Sequence, residues 1–323
     1  MELKMGLMLL AFLMPITALA ATITVGPSDC NYTHIWEALD VASSGDTIEV
    51  QSDIYYENVI VDKAVILRGI RGNNTENGMP RICADGLRSA VKIIADGTTV
   101  QGFIVSDSGS QRGDAGIEII SNNNTVMNNH VAFNQIGIHL ISSFDNNITG
   151  NRIYKNRDDG TKLVDSGNNM IAGNYIFNNT KPDYAWWIGE EGGVSLLRSD
   201  ENLIIGNYAS NNEDVGILLK NSDENIIIGN IAENNYYRGV YVDSSSANNL
   251  LYLNIISNNT GGNAVDYGVE NHWDNGTIGN CYGDFDEPRE GCRDPEGDGI
   301  CNFAYEIPGG SNIDRYPLAF DSA

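Results

Sequence analysis

Three groups of residues in this chain have the types and spacing to do chemistry. Asp158 and Asp159 stand together in "RDDG", and Glu190 and Glu191 close a later insertion. Carboxylates paired in this way can act as general acid and base on a glycosidic bond, with their separation setting an inverting or retaining outcome. Adjacent acids in turns are usually just solvated. In the tail, "DPEGDGICN" sets Asp294, Glu296 and Asp298 at alternate positions before Gly299, with Asn302 after. Alternating carboxylates around a glycine turn are how a short loop wraps oxygens around Ca²⁺. The full EF-hand pattern wants a Glu where this chain has Tyr305, with Glu306 one residue late. The expectation is a structural calcium that holds the tail down, against an acidic turn with no ion.

The third group is aromatic. "TKPDYAWWIGEEGG" offers Tyr184, Trp186 and Trp187 beside Asp183, Glu190 and Glu191. Neighbouring segments bring Arg157, Tyr236, Tyr237 and Arg238 towards it, and Tyr154, Phe177, Tyr175 and Tyr208 should point outward on the adjacent strand face. Rings flanked by polar groups hold sugars, the ring face on C–H groups and the polar atoms on hydroxyls. Tyr184, Trp186, Trp187, Tyr154, Phe177, Tyr236 and Arg238 are therefore the expected glycan contacts. The plainer alternative folds Trp186 and Trp187 onto Tyr175 and Phe177 as a satellite core. The four histidines (His34, His130, His139, His272) form no His-x-His pair, and most methionines lie at the N-terminus. Soft-metal chemistry thus has no evident ligand cluster. No Ser-His-Asp grouping or phosphate loop is present.

What positions these groups is a repeat. Asn129, Asn151, Asn174, Asn207, Asn230 and Asn254 recur at steps of 22 to 24 residues, with one of 33. Five residues before each stands another Asn (124, 146, 169, 202, 225, 249), and five after a third (134, 156, 179, 212, 235, 259). Apolar columns alternate between them with period 2, as in Val126, Ile148, Ile171, Ile204, Ile227 and Leu251, so each repeat is built of short strands with one buried face. A near-fixed period of β-branched strands and Asn turns reads as the coil of a single-stranded, right-handed parallel β-helix, of about ten coils. The asparagines suit left-handed corners and amide ladders between coils, a structural use rather than a catalytic one. The long step contains the aromatic insertion, and solenoid insertions emerge as loops on one face.

An open coil needs covers. "THIWEALDVASSGDTIEV" reads as an N-terminal helical lid capped by Thr33, with Ile35, Trp36, Leu39 and Ala42 inward. The expected organisation is a signal peptide over 1–20, cap and first coils over 21–95, β-helix repeats over 96–270, and a Cys- and Asp-rich cap over 271–323. The first 20 residues carry one Lys, an apolar run and Ala18-Leu19-Ala20, the pattern of a secretory leader and too short for a spanning helix. Export to a cell surface or periplasmic-type space permits disulfides. Of five cysteines, Cys30 can pair with Cys83, while Cys281, Cys292 and Cys301 give one bridge and a spare thiol, Cys281 with Cys301 being preferred. Seven N-x-T sequons would suit a glycoprotein. A net charge of −24 argues against nucleic acid or anionic lipid as partner. The mature chain is expected to insert in no membrane.

"YTHIWEALDVASSGDTIEV", the GN repeats and the tail from "NHWDNGTIGNCYGDF" to "NIDRYPL" resemble right-handed β-helix proteins of the NosD-like copper-accessory and carbohydrate-binding CASH type. The resemblance covers nearly all of the mature chain. It implies the fold strongly and an activity weakly. Cysteines stand where that group commonly has Tyr or Gly, and Glu296 replaces an Asp. The Gly-His-Gly and Arg-Ile-Lys motifs of polygalacturonases and the Asp-Pro-His-Asp motif of uronan epimerases are absent. The reading is a secreted or surface β-helix that binds glycan or a cell-surface polymer, or serves as a scaffold. A polysaccharide lyase or hydrolase using Asp158, Asp159, Glu190 and Glu191 is the alternative, and an accessory role in copper-enzyme maturation a further one.

Overall fold

The computed structural model describes residues 20–75, 77–180 and 191–319. Residues 1–19 of the expected leader lie outside them, as do Tyr184, Trp186, Trp187 and Glu190. Each coil contributes one short strand to each of three parallel sheets. The first sheet runs from Thr22–Val25 through Thr125–Met127 and Met170–Ala172 to Leu250–Tyr252. The second runs from Ile54–Tyr56 through Arg152–Tyr154 and Tyr175–Phe177 to Cys281–Tyr282. The third runs from Val59–Val61 through Thr161–Val164 and Gly192–Leu197 to Ala264–Asp266. The fold is an all-β parallel β-helix of about ten coils. Equivalent residues lie in register from coil to coil, Ile148 on Ile171 and Ile153 on Ile176. The inward column of each sheet is fully buried along the axis, and together these columns make one continuous core.

The three Asn columns lie inside the wall, nearly all fully buried. Each amide Nδ2 donates to the Oδ1 one coil on: Asn124 to Asn146 at 3.0 Å, Asn151 to Asn174 at 3.0 Å, Asn156 to Asn179 at 3.0 Å. The same Oδ1 also accepts the backbone N–H of the preceding ladder residue, and Nδ2 reaches a backbone carbonyl as well. One amide thus satisfies the polar groups that a tight corner would leave buried and unpaired. The ladders continue past the last repeat to Asn271, Asn280 and Asn263. The left-handed conformation belongs not to these residues but to the one before each: Gly150, Gly173, Gly206 and Gly229 in one column, Lys155, Asn178, Asn211 and Asn234 in another. A buried amide must hold a fixed direction to reach both neighbours, so the preceding residue makes the turn. A fourth ladder, not anticipated, runs through Ser143, Ser166, Ser199, Ser222 and Ser246, each backbone N–H donating to the next hydroxyl at 3.0–3.1 Å.

The helix at the N-terminal end, Ile35–Val41, buries Ile35, Ala38 and Leu39 over the first coil. Trp36 stands outside, 52% exposed, with Ala38 inward in its place. His34, not Thr33, is the N-cap, and Glu57 from the next coil accepts the N–H groups of Ile35 and Trp36. That carboxylate binds two of the helix's orphan donors directly, which explains why the cap shifts. At the other end Trp273 and Tyr282 are fully buried, and Tyr305 stacks on Tyr282 at 4.0 Å. These rings cover the final cross-section and are pinned by two buried acids. Asp266 accepts the Trp273 indole N–H at 2.7 Å, and Asp314 accepts the Tyr282 hydroxyl at 3.1 Å. Burial pushes the Asp314 carboxyl up to about 6, against the backbone donors Asn280 and Tyr316.

Candidate functional site

The second sheet and the corner after it carry the site. Its outward positions are fixed by register: His130, Arg152, Tyr175 and Tyr208 in one column, Ala132, Tyr154, Phe177 and Ser210 in the other. Side chains at alternate strand positions share a face, so these rings meet across coils. Tyr154 stacks on Phe177 at 5.1 Å and Tyr175 on Tyr208 at 4.5 Å, while Tyr175 meets Phe177 edge-on at 5.0 Å. Phe133, 51% exposed at the corner, meets Tyr154 edge-on. Arg152 lies 5.5 Å from the centroids of both Tyr175 and Phe177, and Lys155 lies 5.6 Å from that of Phe133. The outward placement expected of Tyr154, Phe177, Tyr175 and Tyr208 is what the structure has. Many of the ring faces lie against one another or against a cation, leaving edges, hydroxyls and guanidinium N–H groups towards solvent.

Past the corner the stripe opens into a groove of about 480 Å³. Asn178, Asn211 and Asn234 line it from successive coils, each exposed and each with positive φ. Thr180, Glu213 and Thr260 add polar groups, and Tyr236, 65% exposed, stands at its edge. Tyr236 lines the groove, while Tyr154 and Phe177 stay on the sheet stripe and are not among its lining residues. Arg238 does not line this groove. Its guanidinium lies 5.1 Å over the Tyr237 ring, and its Nε is buried without a hydrogen-bond partner among the described residues.

Beneath the groove is a group of buried acids. Asp158 is 5% exposed and Asp159 0%, so neither is the solvated turn acid that the sequence allows. Asp159 is held on every side. Its Oδ1 accepts the Gly192 N–H at 2.8 Å and the Ser195 hydroxyl, and its Oδ2 meets Lys162 Nζ at 2.6 Å. It ties the coil before the insertion to the strand that resumes after it. Burial alone would lower the Lys162 ammonium's pKa, but the adjacent Asp159 and Asp158 charges outweigh it and raise it. Asp158 and Glu191 are different. Asp158 Oδ1 and Glu191 Oε2 are buried with no hydrogen-bond partner among the described residues. Burial, then the Asp159 charge, pushes the Asp158 carboxyl up to about 7. Burial, then Asp159, Asp158 and Asp214, pushes Glu191 up to about 7 as well. The space among Asp158, Glu191, Gly192 and Asp214 has no room for a water molecule, yet it shares Asn179, Thr180, Asn212 and Glu213 with the groove above.

In the tail, Cys292 pairs with Cys301, and Cys281 is free, as are Cys30 and Cys83. The expected Cys281–Cys301 bridge is corrected because Cys281 sits in the last strand of the second sheet, in register with Ile255, and burial pushes its thiol up to about 12. The Cys30–Cys83 bridge is corrected too: the Cys83 thiol donates to Asp107 at 3.2 Å. In the acidic loop, Asp294 accepts the N–H groups of Gly297, Asp298 and Gly299, which holds its carboxyl below the usual range, while Glu296, Asp298 and Asn302 are exposed. Among the described residues no three His, Cys, Asp or Glu side chains gather in a metal-holding group. As folded, the Asp294 carboxylate is occupied by the loop's own backbone N–H groups.

A family model described as periplasmic copper-binding protein (NosD) matches residues 31–287. The chain belongs to the NosD family. No curated protein matches. Among solved structures, the chain is similar to the Dettilon tailspike protein (gp208), with TM-score 0.54 and 13% identity, covering 70% of this chain and 53% of that one. It is also similar to tailspike protein 2 of an Escherichia coli O157:H7 bacteriophage, with TM-score 0.53 and 14% identity, covering 70% and 33%. The chain thus spans about half the length of the first and a third of the second, and at these identities the likeness shows the fold alone. Copper, which the NosD family name implies, does not fit the described residues. His34 contacts Glu57 beside the helix, His130 lies on the second sheet, His139 on the third against Gly113, and His272 beside Leu250. No soft-ligand cluster results, and no chemistry is derived through copper. Among the described residues no helix is long and apolar enough to cross a membrane.

Proposed function

We propose that the protein is a secreted or cell-surface β-helix that binds glycan without cleaving it. The groove of about 480 Å³ carries this reading. Its exposed amides recur once per coil, spaced by strand pairing at about 4.8 Å, so a polymer lying along the axis meets a repeated row of donors and acceptors. Thr180 and Thr260 add hydroxyls, and Tyr236 adds a ring. Such a mixture of polar readers and one aromatic wall suits a sugar chain. A glycan-array scan of the mature chain tests it. Tyr236→Ala is expected to weaken binding about tenfold, roughly 1.4 kcal/mol. A folded chain that binds no glycan overturns the proposal.

A second reading rests on the acids under the groove. Asp158 and Glu191, each with an oxygen that is unpartnered among the described residues and a pKa near neutrality, have the character of a general acid–base pair. Of the four carboxylates in the sequence-based alternative, Asp159 is committed to structural bonds and Glu190 lies outside the described residues. This reading requires new reducing or unsaturated ends from a polysaccharide and their loss in Asp158→Asn. Calcium binding by the Asp294–Asn302 loop is proposed on the sequence pattern alone, and Asp294 would have to leave its backbone donors to reach the ion. Calorimetric titration with Ca²⁺, wild type against Asp298→Asn, decides it. An accessory role towards a copper enzyme rests on the family match, and copper titration of the folded chain tests it.

A further inference from the structure

We infer that the glycan is an acidic one, its carboxylates taken by Arg152, Lys155 and Arg157 of the single coil "RIYKNR" where the aromatic stripe meets the groove. This rests on the glycan reading above and names the class of sugar. The chain carries 19 basic against 43 acidic residues, yet three cations fall within six residues of one coil, all exposed. Many other cations are committed: Arg68 to Glu49, Arg81 to Asp107, Lys92 to Glu118, Arg198 to Asp165 and Arg315 to Asp274. Among the described residues none of Arg152, Lys155 and Arg157 makes an ion pair. Among the described residues, the second-sheet face around Arg152 carries no carboxylate over this stretch, while Glu213 lines the groove that Arg157 borders. From Ile104 to Ser210 the outward positions of the second sheet are Ile104, Ser106, His130, Ala132, Arg152, Tyr154, Tyr175, Phe177, Tyr208 and Ser210. Asp107 and Glu233 bound this stretch, and both are engaged, with Arg81 and with the Tyr208 hydroxyl.

The local field bears this out. Burial first, then the Arg152 and Arg71 charges, lowers the pKa of His130 on the same face. Over the distance that matters for contact, the −24 net charge counts less than these neighbours, because mobile ions screen charges beyond about 10 Å. Arg152 is also placed for an anion. Its guanidinium carbon lies 5.5 Å from the centroids of both Tyr175 and Phe177, and a planar N–H fork that no carboxylate among the described residues occupies can meet a ligand carboxylate bidentately. Lys155 on Phe133 supplies a point charge one turn along the corner. Arg157 occupies the coil position that Thr180 takes in the next, so its charge borders the groove.

The test uses an oligogalacturonide hexamer and its methyl ester, a neutral twin of the same backbone, against wild type and Arg152→Gln/Lys155→Gln. These exposed substitutions remove charge and no core contact. The wild type should bind the acid at least tenfold more tightly than the ester, the preference should shrink as salt is raised, and the double variant should lose it while keeping the ester affinity. Equal binding of acid and ester, or an unchanged preference in the double variant, overturns the inference and leaves the glycan reading standing. Binding of neither by folded protein overturns the inference, and the glycan reading then stands or falls on the array.

Discussion

Two buried polar systems lie within a few ångströms of each other in this wall, and they are built to opposite rules. The asparagine ladders leave nothing unpaired: at each rung one amide satisfies a backbone donor, a neighbouring amide and a backbone carbonyl. Among the described residues, the acids beneath the groove leave Asp158 Oδ1 and Glu191 Oε2 without a hydrogen-bond partner. Buried polar groups are nearly always paired, so an orphan marks a place where something other than stability sets the residue type. The contrast runs even between neighbours in sequence. Asp159 has three partners and belongs with the ladders, while Asp158 beside it does not.

Breaking a rung should produce the largest effect. Asn174→Ala removes the acceptor for the Asn151 N–H and amide and the donor to Asn207 and Ile148, leaving several buried groups bare. At about 1–3 kcal/mol for each orphan, the loss should be on the order of 3–6 kcal/mol, read by denaturant unfolding. A loss below 1 kcal/mol would mean that water replaces the rung, and the ladder would no longer differ in kind from the acids. Asp159→Ala should come next, at about 3–5 kcal/mol, as expected when one partner of a buried ion pair is removed and Lys162 is left uncompensated. The same substitution frees the Gly192 N–H and the Ser195 hydroxyl, so hydrogen exchange should rise first in the strand Gly192–Leu197.

How much of this could be read from residue order follows from what repeats. The coil, its three sheets and the Asn columns were legible because a solenoid writes each constraint six or more times. The Ser column was written as often but hidden by serine's ordinary use in turns. Trp36 was misplaced because a four-residue helical face cannot tell Ile-Trp from Ile-Ala without knowing that Glu57 caps from the next coil. The site was half legible. Tyr154 and Phe177 meet because they occupy the same repeat position in successive coils, and register then does the rest. Asp158 and Asp159 look alike in "RDDG", and only the return of the chain at Gly192 separates their roles. The Cys292–Cys301 bridge lies in a tail with no repeat, where three cysteines in one short stretch carry no register to choose among them.

The smallest effect sharpens the contrast most, because it depends on pH. Asp158 is faced by Asp159, Lys162, Glu191 and, across the insertion, Asp214. Its folded pKa of about 7 exceeds its ordinary 3.8, so the folded chain holds a proton that the unfolded chain has released. Below about pH 4 both states are protonated and the full stability is present. It declines as pH rises through about 7 and then levels, because ionising the group in place costs more than ionising it in water. Asp158→Asn fixes the uncharged form: it should match wild type near pH 4 and exceed it above pH 7 by about 2 kcal/mol, taking roughly half of the full shift to allow for its coupling to Asp159. A ladder residue behaves otherwise, since Asn174→Ala should cost the same at every pH. Should Asp158→Asn prove more stable and also abolish release of sugar ends, the orphaned acid is kept for chemistry at stability's expense. Should it prove more stable with glycan binding intact and no ends released by either form, the acid is no catalyst and the groove above it is a binding site alone.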